Sequence, residues 1–226
     1  MIWLLLAKFR EINGWSISEV MVLWALAQLT YTLAAPFFYH SIGKLDRHIV
    51  QGTYENLIVQ PMPSLLNLIA RNLSWTYSSQ IVLNIVVLVI ALVRSSFEPS
   101  LVKFVYLFIT VIGGVGFQSF SFLLGGAMSF RWLNSGVSLG GTFRWLGTNL
   151  TQYPISIYPL ALRWLLTFII PAALLNYYPA MYLIDKRPQN VPEVLLWLAP
   201  LGLVLLGGVG FMLFRKSERA YQGSGG

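Results

Sequence analysis

Five long apolar runs, separated by shorter polar stretches, set the frame of this chain: Ser18–Tyr39, Ser74–Val93, Phe104–Met128, Trp164–Ile184 and Val194–Phe214. A helix rises about 1.5 Å per residue, so roughly 20 apolar residues cross a hydrocarbon core. Each run meets that length, and Glu19 at the edge of the first is the one acid or base in any of them. Tyr39, Trp75, Tyr77, Tyr106, Trp164 and Trp197 fall in outer turns, where aromatic anchors meet the interface. The runs lack period-two alternation, which rules out barrel strands. The pattern predicts an all-α integral membrane helical bundle forming a single domain over residues 1–226. Before the first run, "MIWLLLAKFREINGWS" offers only Ile2–Ala7 as an apolar stretch. It lacks the order of a signal peptide, and reads as the last turns of a span that begins upstream.

Composition agrees. The 226 residues are 56% hydrophobic and 10% charged, with a mean hydropathy of +0.67; a soluble domain carries about 25% charged residues. Cysteine is absent, which excludes disulfides and thiolate metal sites. The net charge of +7 lies in short segments between apolar runs rather than in one stripe. That distribution speaks of topology and not of a nucleic-acid partner.

Placing the C-terminus in the cytoplasm makes 40–73, 129–163 and 215–226 cytoplasmic. These segments hold Lys44, Arg47, Arg71, Arg131, Arg144, Arg163, Arg215, Lys216 and Arg219, against Lys8, Arg10, Arg94, Lys103, Lys186 and Arg187 on the other side. The bias favours this orientation. Both long loops are then cytoplasmic, and the outer loops 94–103 and 185–193 are short.

No catalytic constellation emerges. His40, His48 and Asp46 read as interfacial loop residues rather than a metal site. There is no phosphate-cradling G-x-x-x-x-G-K-[ST], so the chain offers no such means of binding nucleotide. "GVSLG" at Gly136–Gly140 matches G-x-S-x-G, but no histidine follows Ser138. Inside the spans the main polar groups are neutral, including Gln28, Asn84, Gln118 and Asn176. They read as interhelical hydrogen bonds or as the lining of a pathway. The absence of a titratable group at depth argues against a proton-coupled carrier. "GGVGF" occurs twice, at Gly113–Phe117 and Gly207–Phe211, as close helix packing requires. Pro171 and Pro179 interrupt the fourth run and predict a bent helix with hinges there.

Three stretches, "GKLDRHIVQGTYENLIVQPMPSLLNLIARN", "YPISIYPLALRWLLTFIIPAALLNYYPAMYL" and the C-terminal "ERAYQGSGG", together resemble the ABC-2 type transporter permeases, in the branch of ABC-2 family transporter proteins. "INGWS" at Ile12–Ser16 is similar to the lead-in to that family's second span. Gly52, Glu55, Leu57 and Pro61 match its G-x-x-(D/E)-x-L-x-x-(K/R)-P element, with Gln60 where a base is usual. The family has six spans per permease. The resemblance therefore implies that most of the first span lies outside this chain, either through a late start or because the chain is a fragment.

The resemblance further implies a permease subunit, itself not an enzyme, in the inner (plasma) membrane of a prokaryote. It would pair with a second copy or a related permease and with membrane lipid. Cytosolic ATPase subunits would carry the ATP and magnesium. Export of an amphipathic or hydrophobic substrate is expected. Ile42–Gln51 can form an amphipathic coupling helix, with Ile42, Leu45 and Ile49 on one side. Gly52 suits the position past its end, and Pro61 and Pro63 prevent any helix from continuing. Asp46, Arg47, Gly52, Glu55, Gln60 and Pro61 are the residues expected at the ATPase. The rival readings are a scaffold or assembly subunit without transport, and an ion-coupled carrier.

Overall fold

The computed structural model describes residues 11–12, 14–132, 141–142, 145, 148–186 and 193–221. Ile2–Ala7 and Gly136–Gly140 lie outside them. The described chain opens with β1 (Glu11–Ile12) paired antiparallel to β2 (Trp15–Ser16). Gly14 closes this turn at φ 79°, a region that favours glycine. The turn places Ser16 at the N-cap of α1 (Ile17–Gly43). Its hydroxyl accepts from the Glu19 N–H, and the Glu19 carboxylate accepts from the Ser16 N–H at 2.7 Å. This reciprocal box satisfies two donors that a helix start leaves free.

After a single turn residue at Lys44 the chain continues into α2 (Leu45–Val50), followed by α3 (Glu55–Ile58) and α4 (Ser64–Asn72). A short turn at Trp75–Tyr77 leads into α5 (Ser78–Arg94). The Ser74 N–H donates to the Pro36 carbonyl at 3.2 Å and pins that turn to α1. Then come α6 (Leu101–Ser129), α7 (Leu160–Trp164), α8 (Tyr177–Leu183) and α9 (Glu193–Arg219). Among the described residues, four helical stretches are long and apolar enough to cross a membrane: Ile17–Val50, Trp75–Arg94, Leu101–Ser129 and Leu196–Arg219; the bent pair Leu160–Ile169 and Pro171–Leu183 makes a fifth if counted as one span. The fold is an all-α membrane bundle.

Two buried clusters mark its ends. Trp15, Val20, Leu92, Leu183 and Ile184 belong to a cluster that begins at one end and extends inward to Leu29. Ile42, Leu45, Tyr54, Leu57, Leu68, Leu123 and Phe214 belong to the other. Between them, Ala27, Phe117, Ile170, Leu175 and Leu203 meet at mid-depth. Along the seam between α6 and α9, glycines bring the two backbones into contact. A Cβ on Gly116 would lie 2.5 Å from the Leu203 carbonyl oxygen, and one on Gly207 would lie 3.0 Å from the Gly116 Cα. The two GGVGF copies therefore pack on each other. Without water to drive apolar association, such close backbone approach is what holds membrane helices together.

The fourth apolar run is not a straight span. α7 continues as a π-helical turn over Leu165–Ile169, and its direction then changes by 71° into Pro171–Leu183. Pro171 has no N–H to return to Thr167, so the helix cannot pass through it. The Ile170 N–H instead reaches back five residues, to Leu165 at 2.8 Å. None of residues 148–186 joins the cluster at the Tyr54 end; they sit in the mid-depth and Trp15-end clusters. Tyr177 packs on Trp15 with ring centroids 5.4 Å apart, and Lys186 pairs with Glu19. The bent pair thus dips to mid-depth and comes back to the Trp15 end.

The loop expected over 129–163 is correspondingly different in its second half. Phe130 packs edge-on against Phe214 at the Tyr54 end, yet Thr148 already bonds Gln118 at mid-bundle and the Thr151 carbonyl bonds Asn176. Thr148, Thr151, Pro154 and Ile155 are buried. Thr148 and Thr151 suggested a loop because the partners that satisfy them lie far away in sequence.

Candidate functional site

The polar segment after α1 is folded tightly onto the Tyr54 end. Ile42, Leu45 and Ile49 are buried together, as their spacing requires, while Arg47 and Val50 point out. Asp46 is half-buried, with one carboxylate oxygen enclosed and without a hydrogen-bond partner among the described residues. The Gly52 N–H closes α2 by donating to Ile49 at 3.1 Å, and Gly52 stands at φ 67°. That left-handed conformation, and not crowding, is why glycine belongs there, since nothing lies within 4 Å of where its Cβ would be.

Glu55 is exposed in the first turn of α3, and Pro61 is exposed beyond it. Gln60 accepts from the Asn67 amide and from Arg71 Nη2 at 3.2 Å, and Arg71 Nε donates to Asn67 Oδ1 at 2.8 Å. Where the motif usually has a base at 60, this chain brings the Arg71 guanidinium to the glutamine. Lys44 Nζ donates to Asn72 Oδ1 at 2.9 Å and closes α4 back onto the turn residue after α1. The result is a rigid knuckle whose outer surface presents Arg47, Val50, Glu55, Ile58, Val59 and Met62, with Val59 81% exposed.

Sequence reasoning missed what holds the knuckle down. Tyr54 is fully buried, and its hydroxyl donates to Glu218 Oε1 at 2.6 Å; the Ser64 hydroxyl donates to the same oxygen. Burial, followed by the Glu218 carboxylate, raises the Tyr54 pKa well above its ordinary value, so the phenol keeps its proton and remains a donor. Tyr221 and Phe130 pack on the Tyr54 ring at 5.8 and 5.3 Å. The signal was present in "GTYEN" and "ERAYQ", but nothing in either stretch says that they meet.

The four interior amides do not share one cavity. Asn84 donates to Thr32 at 3.3 Å, joining α5 to α1, and Gln28 is half-buried on α1. Gln118 donates to Thr148 at 3.3 Å, and Asn176 Nδ2 donates to the carbonyls of Leu23 at 3.1 Å and Thr151 at 2.6 Å. Gln118 and Asn176 therefore grip the same interior segment, each with its carbonyl oxygen buried and without a partner among the described residues. A groove of about 690 Å³ between α5 and α6 is lined instead by apolar side chains, among them Leu29, Leu88, Phe97, Phe104 and Phe108. Of the two prolines expected as hinges, Pro171 sits at the 71° break, and Pro179 is the third residue of α8, where the missing N–H would be free in any helix.

A bundle of apolar helices, with a bent pair entering from one end and a folded polar knuckle sealing the other, is the architecture of an integral membrane protein. The family model for ABC-2 family transporter proteins matches residues 1–225, and the chain belongs to that family. It is thus a membrane permease of the ABC transporter class. No curated protein and no solved structure matches it.

Proposed function

We propose that this chain is the membrane subunit of an ATP-driven exporter, and that a separate cytosolic ATPase docks on the knuckle formed by α2, α3 and Pro61. The observation that carries the reading is the exposed outer surface of that knuckle. Its charges (Arg47 and Glu55) and its apolar residues (Ile58, Val59 and Met62) face away from a base that is rigidly sealed to the bundle. Such a surface suits a partner that pushes. Asp46, Gly52 and Gln60 shape it from beneath, and ATP and its magnesium are bound by the partner.

The base distribution supports the cytoplasmic placement of this end. Among the described residues the Tyr54 end carries Lys44, Arg47, Arg71, Arg131, Arg215, Lys216 and Arg219; the Trp15 end carries Arg94, Lys103, Arg163 and Lys186. The membrane is the inner (plasma) membrane of a prokaryote. α5 and α9 are the least enclosed spans, at 22% and 28% buried against 61% for Ile17–Val50, which leaves faces for a second permease and for lipid. An amphipathic or hydrophobic substrate, moving along a pathway completed by that second subunit, suits an interior with few and neutral polar groups. Gln28, Asn84, Gln118 and Asn176 are its candidate contacts.

Charge reversal at Arg47 and Glu55 together tests the docking face. The expected outcome is a folded permease that no longer converts ATP hydrolysis into transport. Unaltered transport in that variant overturns the assignment.

A further inference from the structure

Glu218 lies in the last turn of α9, outside every segment assigned above to the ATPase. Its Oε1 accepts from Tyr54 at 2.6 Å and also from Ser64, so donors on either side of α3 and Pro61 converge on one oxygen. Among the described residues no lysine or arginine pairs with Glu218, which distinguishes it from an ordinary surface ion pair. The contact is surrounded by rings from three elements: Tyr54 before α3, Phe130 after α6, and Phe214 and Tyr221 of α9 and its tail. Two hydrogen bonds on one acceptor, held inside packed rings, fix orientation as well as distance.

Beyond Glu218 there is little slack. Cβ atoms on Gly113, Gly116 and Gly210 would meet Pro200, Leu203 and Phe120 at 2.4, 2.5 and 2.8 Å, so α9 and α6 interlock along their length. The knuckle also continues α1 directly: Lys44 is a single turn residue between α1 and α2, its N–H returning to His40 and its carbonyl accepting from His48, both at 3.1 Å.

We propose that Glu218 is a positioning residue that fastens the knuckle to α9, so that the ATPase moves α9 and α6 as one body with the knuckle. This rests on the permease reading above. Force then enters the membrane by two routes, α1 directly through Lys44 and α9 through Glu218.

The test uses the assembled transporter, reading ATPase co-purification, ATP hydrolysis and substrate moved per ATP. Tyr54→Phe with Ser64→Ala removes both donors and leaves the ring packing. It is expected to retain the ATPase and its hydrolysis while substrate moved per ATP falls about tenfold, the scale of one charge-assisted hydrogen bond. The chain has no cysteine of its own, so Ser64→Cys with Glu218→Cys can be joined by a short bifunctional thiol reagent. The unlinked pair is expected to behave like the donor-less variant, and linking is expected to restore coupling. A purely structural contact would not show that rescue.

Normal coupling in the donor-less variant, or arrest on linking, overturns the proposal. Should the donor-less variant fail to fold, the linked pair alone decides. If the unaltered chain neither retains an ATPase nor transports with ATP, the permease reading falls and this proposal with it. Normal behaviour of the unaltered chain with unaffected variants sinks the Glu218 proposal only.

Discussion

The hydroxyl of Tyr106 donates to the carbonyl oxygen of Leu196 at 2.8 Å. Leu196 is four residues before Pro200, whose ring has no N–H to return to it. Tyr106 on α6 therefore supplies the donor that the proline removed from α9. Its ring is fully buried between Tyr182 and Trp197, at 4.3 and 5.0 Å. A proline deep in a membrane helix is tolerated when a neighbour satisfies the carbonyl it frees.

Tyr106→Phe is accordingly expected to destabilise the bundle by about 1–3 kcal/mol, the cost of a buried acceptor without a donor. In a Pro200→Ala background the N–H returns, and the same change is expected to cost much less. Thermal unfolding of the four proteins in detergent gives the coupling term directly; equal costs in both backgrounds would refute the pairing.

The seam between α6 and α9 predicts a contrast between glycines. Gly113→Ala places a methyl against the Pro200 backbone, which has no side-chain freedom with which to yield. A loss of about 1–3 kcal/mol is expected from such overpacking. Gly202→Ala, on the same α9, opens onto empty space and is expected to be neutral or mildly stabilising. Melting temperatures of the two variants measured side by side check the order.

Asn176 is expected to discriminate shape from hydrogen bonding. Asn176→Leu loses the donor to Thr151 and Leu23. Asn176→Asp keeps the shape but turns an oxygen toward two carbonyls, so it is expected to be the more damaging despite being the smaller change. Yield and monodispersity in detergent, with a melting curve where the protein survives, rank the two.

At Gly52 the constraint is torsional. Gly52→Ala is expected to cost about 1–2 kcal/mol through its left-handed φ alone, and Gly52→Asn less. Hydrogen exchange in α2 and α3 should rise with Ala and much less with Asn, while exchange in α5 stays unchanged.

The long helices were legible because a 20-residue apolar window leaves few alternatives. The bend in the fourth run was legible, although composition alone does not separate a straight span from a bent pair. Leu166, Ala172 and Leu175 are buried in apolar surroundings either way; the real signal was Pro171. Residues 148–158 read as a loop because Thr148 and Thr151 find their partners in Gln118 and Asn176, which no local pattern reveals. In the knuckle, the spacing of Ile42, Leu45 and Ile49 foretold its buried side, and Gly52 foretold its end. Glu218 stayed invisible, being 164 positions from Tyr54 and 154 from Ser64.

The docking of an ATPase on the knuckle is tested most directly by a photoreactive residue in place of Val59, irradiated in native membranes. The account predicts a covalent adduct with a nucleotide-binding subunit, which disappears when Arg47 and Glu55 are charge-reversed. Adducts with lipid alone, both there and with the probe moved to Glu55, would contradict it.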